Sequence, residues 1–168
     1  MIKLQVEKED DLFEIEELLD LVFGPGRQEL ASYRFREGVK PVHKLSFTIR
    51  DEYNVIVGVI RFWPILLGTQ KLPGLLLGPI GVHPIRQGEG LGGVLIRKSL
   101  KRAQYYGWER VVLFGDLGYY QRFGFARGVV EKLEISYPVN KDRFIGHELR
   151  SGSLSGLSGR IEKWRERT

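Results

Sequence analysis

Four glycines within six positions, Gly88, Gly90, Gly92 and Gly93, stand where an apolar run gives way to an amphipathic one. Leu75 to Val82 reads as an apolar strand. Leu91, Val94, Leu95 and Lys98, continuing toward Ala103 and Tyr106 and ended by Gly107, read as a helix. A strand entering and a helix leaving place the first free N–H groups of the helix at a loop that a ligand can approach closely. Those N–H groups, with the positive end of the helix dipole, suit a phosphate without any lysine. A helix entry packed tightly on a sheet is the plain alternative, but packing alone seldom calls for so many glycines.

Two familiar phosphate loops fit poorly. Gly88, Gly90 and Gly93 match G-x-G-x-x-G, yet the dinucleotide form sits directly at the end of its strand, usually the first of its unit. Here His83 to Gln87, including Pro84, intervene, and several strands have already passed. The acid that should follow about 20 residues later belongs at the end of the next strand, where the acid here, Asp116, lies well beyond that spacing. A Walker A loop needs Gly-Lys-Ser/Thr, which does not occur.

The rest of the chain bounds the fold. Its 168 residues suit a single domain over residues 1–168 with a sizeable core. Asp10 or Asp11 caps a helix with apolar positions Leu12, Ile15, Leu18, Leu19, Val22 and Phe23, stopped by Gly24-Pro25-Gly26. Residues 27–38 suggest a second short helix, with Leu30, Tyr33 and Arg34 on one side. Leu45, Phe47 and Ile49 alternate as a half-buried strand, and Asp51 to Asn54 turns into a long strand, Val55 to Leu67. Gly68 to Gly74 turns again. Gly78, Pro79 and Gly81 make the next strand irregular, a bulge or an unpaired edge. Arg110 to Phe114 is a short buried strand, Asp116 to Arg122 a short helix, and Phe125 onward alternates through Leu133, Ile135 and Tyr137. This order makes an α/β or α+β domain with a mixed sheet.

Composition narrows the partners. There is no cysteine, which excludes a disulfide scaffold, a cysteine-ligated zinc and a cysteine nucleophile. His43, His83 and His147 are scattered, so no metal is expected. No apolar run reaches the length of a membrane helix, and the first residues lack a secretory pattern. A cytoplasmic protein without a membrane partner is expected. The net charge of +5 suits an anionic ligand. Its basic residues are interspersed with acids, as in Arg160 to Arg167, which reads as a solvated terminal segment rather than a nucleic-acid arm.

The run Val82-His83-Pro84-Ile85-Arg86-Gln87-Gly88-Glu89-Gly90-Leu91-Gly92 resembles the acetyl-CoA motif of the GNAT superfamily of N-acetyltransferases, with Q/R-x-x-G-x-G/A falling on Gln87, Gly90 and Gly92. Tyr119-Tyr120-Gln121-Arg122-Phe123-Gly124-Phe125 is similar to the family's F-Y-x-x-x-G-F segment. Gly115 to Phe125 also looks like the G-D-x-x-Y-Y-x-R-F-G-F of a bacterial subgroup of predicted acetyltransferases. The chain departs from the commonest form in having Leu113 where an asparagine usually stands. The resemblance implies a mostly antiparallel sheet of about six to seven strands, splayed at its centre and flanked by about four helices.

It also implies a site. Gln87, Gly88, Glu89, Gly90, Leu91, Gly92 and Gly93 would hold the pyrophosphate of CoA, and backbone groups of Ile80, Gly81 and Val82 would pair with pantetheine. The Val82 N–H would be the oxyanion donor, and Tyr120 the general acid as well as a cofactor contact. Glu37 and His83 are candidates for the acceptor side or the base, beside an ordered water. The expected activity is direct acetyl transfer to a small-molecule or protein amine in a ternary complex, by a monomer or homodimer. A CoA-binding sensor without catalysis is the alternative. Gly24 to Lys40 and roughly Tyr137 to Ser158 would shape the acceptor side, the Gly/Ser-rich Ser151 to Gly159 reading as a loop.

Overall fold

In the computed structural model the described residues are 2–24, 26–27 and 31–166. In chain order they form β1 (Lys3–Val6), α1 (Leu12–Phe23), β2 (Phe47–Arg50), β3 (Ile56–Leu67), β4 (Leu72–Val82), α2 (Leu91–Tyr105), β5 (Arg110–Phe114), α3 (Leu117–Tyr120), β6 (Leu133–Glu134), β7 (Phe144–Glu148) and β8 (Gly159–Lys163). The eight strands make a mixed, mostly antiparallel sheet of order β1-β2-β3-β4-β5-β7, with β8 pairing both β3 and β6. The fold class is the expected one, with more strands and three α-helices among the described residues.

Period-two alternation sends each strand's side chains to two faces. Leu75 and Leu77 of β4 and Val111 and Leu113 of β5 pack with Leu91, Leu95 and Ile96 of α2. Leu76, Val112, Trp63 and Phe144 pack on the other side with Phe35 and Ile161. Helix α1 lays Ile15, Leu18 and Leu19 on Ile56 and Val59. So α2 covers one face of the sheet, and α1 with the short 3-10 turn Ala31–Phe35 covers the opposite one.

The centre of the sheet opens. β3 and β4 run antiparallel along their whole length, but the register slips between Ile60 and Phe62. β4 and β5 run parallel and pair only at Leu75↔Val111 and Leu76↔Val112, so beyond Leu76 the two strands part. The irregularity read from Gly78 and Pro79 is therefore real, but β4 is a central strand rather than an edge. The Trp63 indole N–H donates to Gly78 O at 2.5 Å, tying down the carbonyl where the splay begins.

Several expectations are corrected. Asp11 occupies the cap position of α1 but makes no cap bond. Its carboxylate accepts instead from Lys8 N–H at 2.8 Å and from Arg50 Nη2 at 2.7 Å. Among the described residues of the expected second helix there is no α-helix, just 3-10 backbone at Arg27 and over Ala31–Phe35 followed by a turn; Leu30 lies outside the described residues. β2 is buried on both faces, Thr48 and Arg50 included. The alternation after Phe125 yields a single bridge at Ala126 and the two-residue β6.

The first half of the charged tail, through Lys163, belongs to a strand, β8, rather than to a solvated segment. β2 occupies only the first half of one β3 edge, leaving Ile65 to Leu67 open, and β8 fills that gap in register with Ile161 2% exposed.

Candidate active site

The glycine loop is fixed at its base by side chains. His83 N–H donates to Val57 O at 2.8 Å, and its Nδ1 accepts from Ile85 N–H at 3.2 Å, capping the turn Pro84–Arg86. Arg86 reaches Glu52 at 3.2 Å and Glu89 at 3.3 Å, pinning the loop to the β2–β3 turn. Gly88 and Gly90 have φ of +91° and +78°, which a side chain would strain. Gly90 is the N-cap of α2 and brings no side-chain acceptor, so the first N–H groups of the helix are left without a side-chain cap. That is the donor set an anion needs. Leu91 is a core residue, so its side chain belongs to the sheet and only its backbone faces the loop.

The other two glycines permit close packing. A Cβ on Gly92 would stand 3.0 Å from the Tyr119 hydroxyl and within 4.0 Å of Val82 and Ile80 side-chain atoms. One on Gly93 would meet Arg97 at 3.0 Å and Phe123 at 3.7 Å. The start of α2 thus rests directly on the splayed end of β4 and on α3.

Along β4 the backbone alternates. His83 N–H bonds to β3 and Gly81 pairs in register with Val59. In an antiparallel pair this leaves the polar groups of Ile80 and Val82 pointing away from β3, into the space that β5 has vacated. Gln87 Nε2 approaches Val82 O there at 3.5 Å. Gly81 is a correction. Its polar groups face β3, and a Cβ on it would meet Leu19 of α1 at 3.4 Å. It is a packing glycine.

Tyr120 is set by α3. Asp116 caps the helix, accepting from Gly118 N–H at 3.1 Å, and Asp116 O accepts from both Tyr119 and Tyr120 N–H. Gly124, at φ +96°, then turns the chain so that Phe125 enters the core. The Tyr120 ring stands edge-on to Tyr119 and Phe125, with centroids 5.0 and 5.9 Å away. Gly115 leaves room for it, since a Cβ there would lie 2.7 Å from the ring. Burial, with a smaller push from Tyr119, raises the phenol to about 12, while Arg143 pulls it the other way.

A cavity of about 310 Å³ occupies the gap. Ile80, Pro79 and Gly115 wall it, Tyr119 and Tyr120 line it, and Arg27, Arg36 and Arg143 bring cations to it. Phe23 comes from the end of α1, while Arg27, Ser32 and Arg36 from the α1 side and Arg143 from beside β7 lie within the two regions expected to shape the acceptor side. Glu37 is exposed and does not line the cavity, and neither does His83, whose imidazole caps its own turn. Among the described residues no group of side chains could hold a metal, and no helix is long and apolar enough to cross a membrane.

Sequence reasoning missed Tyr119, Trp63, Arg36 and Arg143. Tyr119 adjoins the tyrosine that the motif singled out, and the segments holding both arginines were marked, but nothing in the order of residues distinguishes these arginines from their neighbours.

The family model for the acetyltransferase (GNAT) family matches residues 12–125. The chain is 27% identical over 118 residues to N-acetyltransferase YhbS of Escherichia coli K12, covering 70% of this chain and 71% of that protein. The crystal structure of YhbS from Escherichia coli in complex with CoA superposes with a TM-score of 0.83 at 25% identity, covering 97% of this chain and 89% of that one. A GNAT acetyltransferase from Brucella melitensis in complex with acetyl-CoA gives 0.71 at 28% identity, over 98% and 96% of the two chains.

Proposed function

The chain belongs to the GNAT acetyltransferase family, and from that premise we propose that it moves an acetyl group from the CoA thioester directly to an amine inside the β4–β5 gap. It is an acetyl-CoA-dependent N-acetyltransferase. The observation that carries the finer reading is the gap itself, in which Ile80 and Tyr120 line one cavity beside the glycine-rich start of α2.

The donor lies on the α2 face. Main-chain N–H groups of residues 88–93 receive its pyrophosphate, and the outward backbone groups of Ile80 and Val82 pair with the pantetheine arm. The Val82 N–H then donates to the thioester oxygen as negative charge builds on it. The acceptor enters from the α1 face as a neutral amine. Its nitrogen forms the new C–N bond, the C–S bond breaks, and the Tyr120 O–H gives its proton to the departing sulfur. The proton shed by the nitrogen passes to water, from which the phenol is restored. Asp116 is the one carboxylate among the described lining residues, and it is engaged as a helix cap, so water is the base. With no cysteine in the chain, no acetyl-cysteine intermediate forms.

Tyr120→Phe tests the assignment. It should lower turnover by about 10²- to 10⁴-fold, the usual worth of a positioned acid, and change the dissociation constant for acetyl-CoA far less. Unchanged turnover would remove Tyr120 from the mechanism.

A further inference from the structure

Among the described residues, the buried arginines come with carboxylate partners, except one. Arg50 holds Asp11 and Glu14, Arg61 holds Glu7, Arg27 holds Asp20 and Glu16, and Arg110 holds Glu109. Arg36 is 9% exposed, yet its Nε has no hydrogen-bond acceptor and no carboxylate among the described residues pairs with it. Its guanidinium rests on aromatic faces instead, 4.6 Å from the Tyr33 ring centre and 5.8 Å from that of Trp63. Burial lowers it to about 10, so it remains a cation at neutral pH. An unpaired buried cation is costly, and proteins seldom retain one without a counter-ion.

Its position says where that counter-ion comes from. Arg36 lines the cavity that holds Tyr120, on the α1 side of the sheet. Arg143, exposed and with no side-chain partner among the described residues, stands at the same cavity. Glu16, whose charge reaches Arg36, is shared between Arg27 and Arg61. The phosphate-binding loop sits on the opposite face, so the donor's pyrophosphate does not account for Arg36.

We propose that the acceptor is a small amine whose molecule also bears an anionic group, a carboxylate or a phosphate, and that Arg36 and Arg143 hold this group on the α1 side. The inference rests on the acetyl-transfer reading and names the substrate class of the same site. The planar fork of Arg36 suits either anion, and the cavity volume suits a small molecule. Anchoring the acid end fixes the amine end against Tyr120.

The test compares matched amines that differ in charge: an amino acid against its amide, and phosphoethanolamine against ethanolamine. With acetyl-CoA, the anionic member of at least one pair should be preferred by about ten- to a hundredfold in kcat/KM, and the preferred pair tells carboxylate from phosphate. Arg36→Met should collapse that preference through KM, leave the affinity for acetyl-CoA unchanged, and raise the melting temperature of the free protein. Arg143→Gln, at an exposed position where folding is not at stake, should weaken the same preference. Calorimetric titration of the anionic amines into the CoA-bound protein reads the anion site without any chemistry.

Equal use of charged and neutral amines overturns the proposal, as does absence of binding in the titration. A lowered melting temperature of Arg36→Met with the preference intact makes Arg36 a structural cation seated on Tyr33 and Trp63. Anion binding that depends on Arg36, with no acetyl transfer to any amine, would instead refute the transfer reading and leave the anion site standing.

Discussion

As the acid proposed for the transfer, Tyr120 has an environment that would make it reluctant but dependable. Burial among Tyr119 and Phe125 holds its phenol near 12, so the proton is present across every working pH. The same shift leaves it weaker than an ordinary phenol, which favours proton transfer late, once charge has built up on sulfur. Because the raised value keeps the group neutral below about 12, the pH profile of kcat should rise as the acceptor amine deprotonates and show no descending limb below pH 10. A descending limb near pH 8 would assign the acid to another group. The placement of Tyr120 at the cavity was legible in the sequence because its spacing to Gly124 and Phe125 is carried by local turns. Arg36 was not, because what marks it is a partner it lacks, and only the packed structure shows that. Gly81 misled for a related reason: it sits in the right strand, but pairing parity, set by His83 and Val57, turns its backbone the wrong way.

Elements were readable where their pattern was local. The limits of β3, α2 and β5 follow from periodicity and from Gly107, at φ +88°. The last strand was hidden because Ile161 is the one large apolar residue among its five, set in a run of mixed charges, and its value comes from a β3 edge far away in the chain. β8 closes that edge and covers the second core cluster beside Phe35 and Trp63, which borders the α1 side of the cavity. Ile161→Ala should therefore cost about 2–5 kcal/mol, the usual range for emptying a buried aliphatic site. In a chain of this size that lowers the melting temperature by roughly 2–4 °C per kcal/mol. A change under 1 °C would return the tail to the solvent-exposed role its charges suggested.

For the molecule as a whole, the open centre of the sheet is a stability question as much as a catalytic one. β4 and β5 share only two register pairs, and the backbone groups of Ile80 and Val82 beyond them have no strand partner. A ligand that bonds to those groups and to the free N–H groups of α2 binds the folded state alone, and so adds its binding free energy to stability. At about 100 times its dissociation constant the gain is roughly 2.7 kcal/mol, which corresponds to about 5–11 °C for a chain of this length. CoA and acetyl-CoA should both give it, since the proposed pyrophosphate and pantetheine contacts are common to them, whereas NAD⁺ should give none. Gly90→Val tests whether the loop carries the effect. A Cβ at Gly90 meets no protein atom within 4 Å, but the residue's φ of +78° resists a β-branched side chain. The variant should fold and lose most of the CoA-induced rise, while a full rise would move the pyrophosphate away from the start of α2.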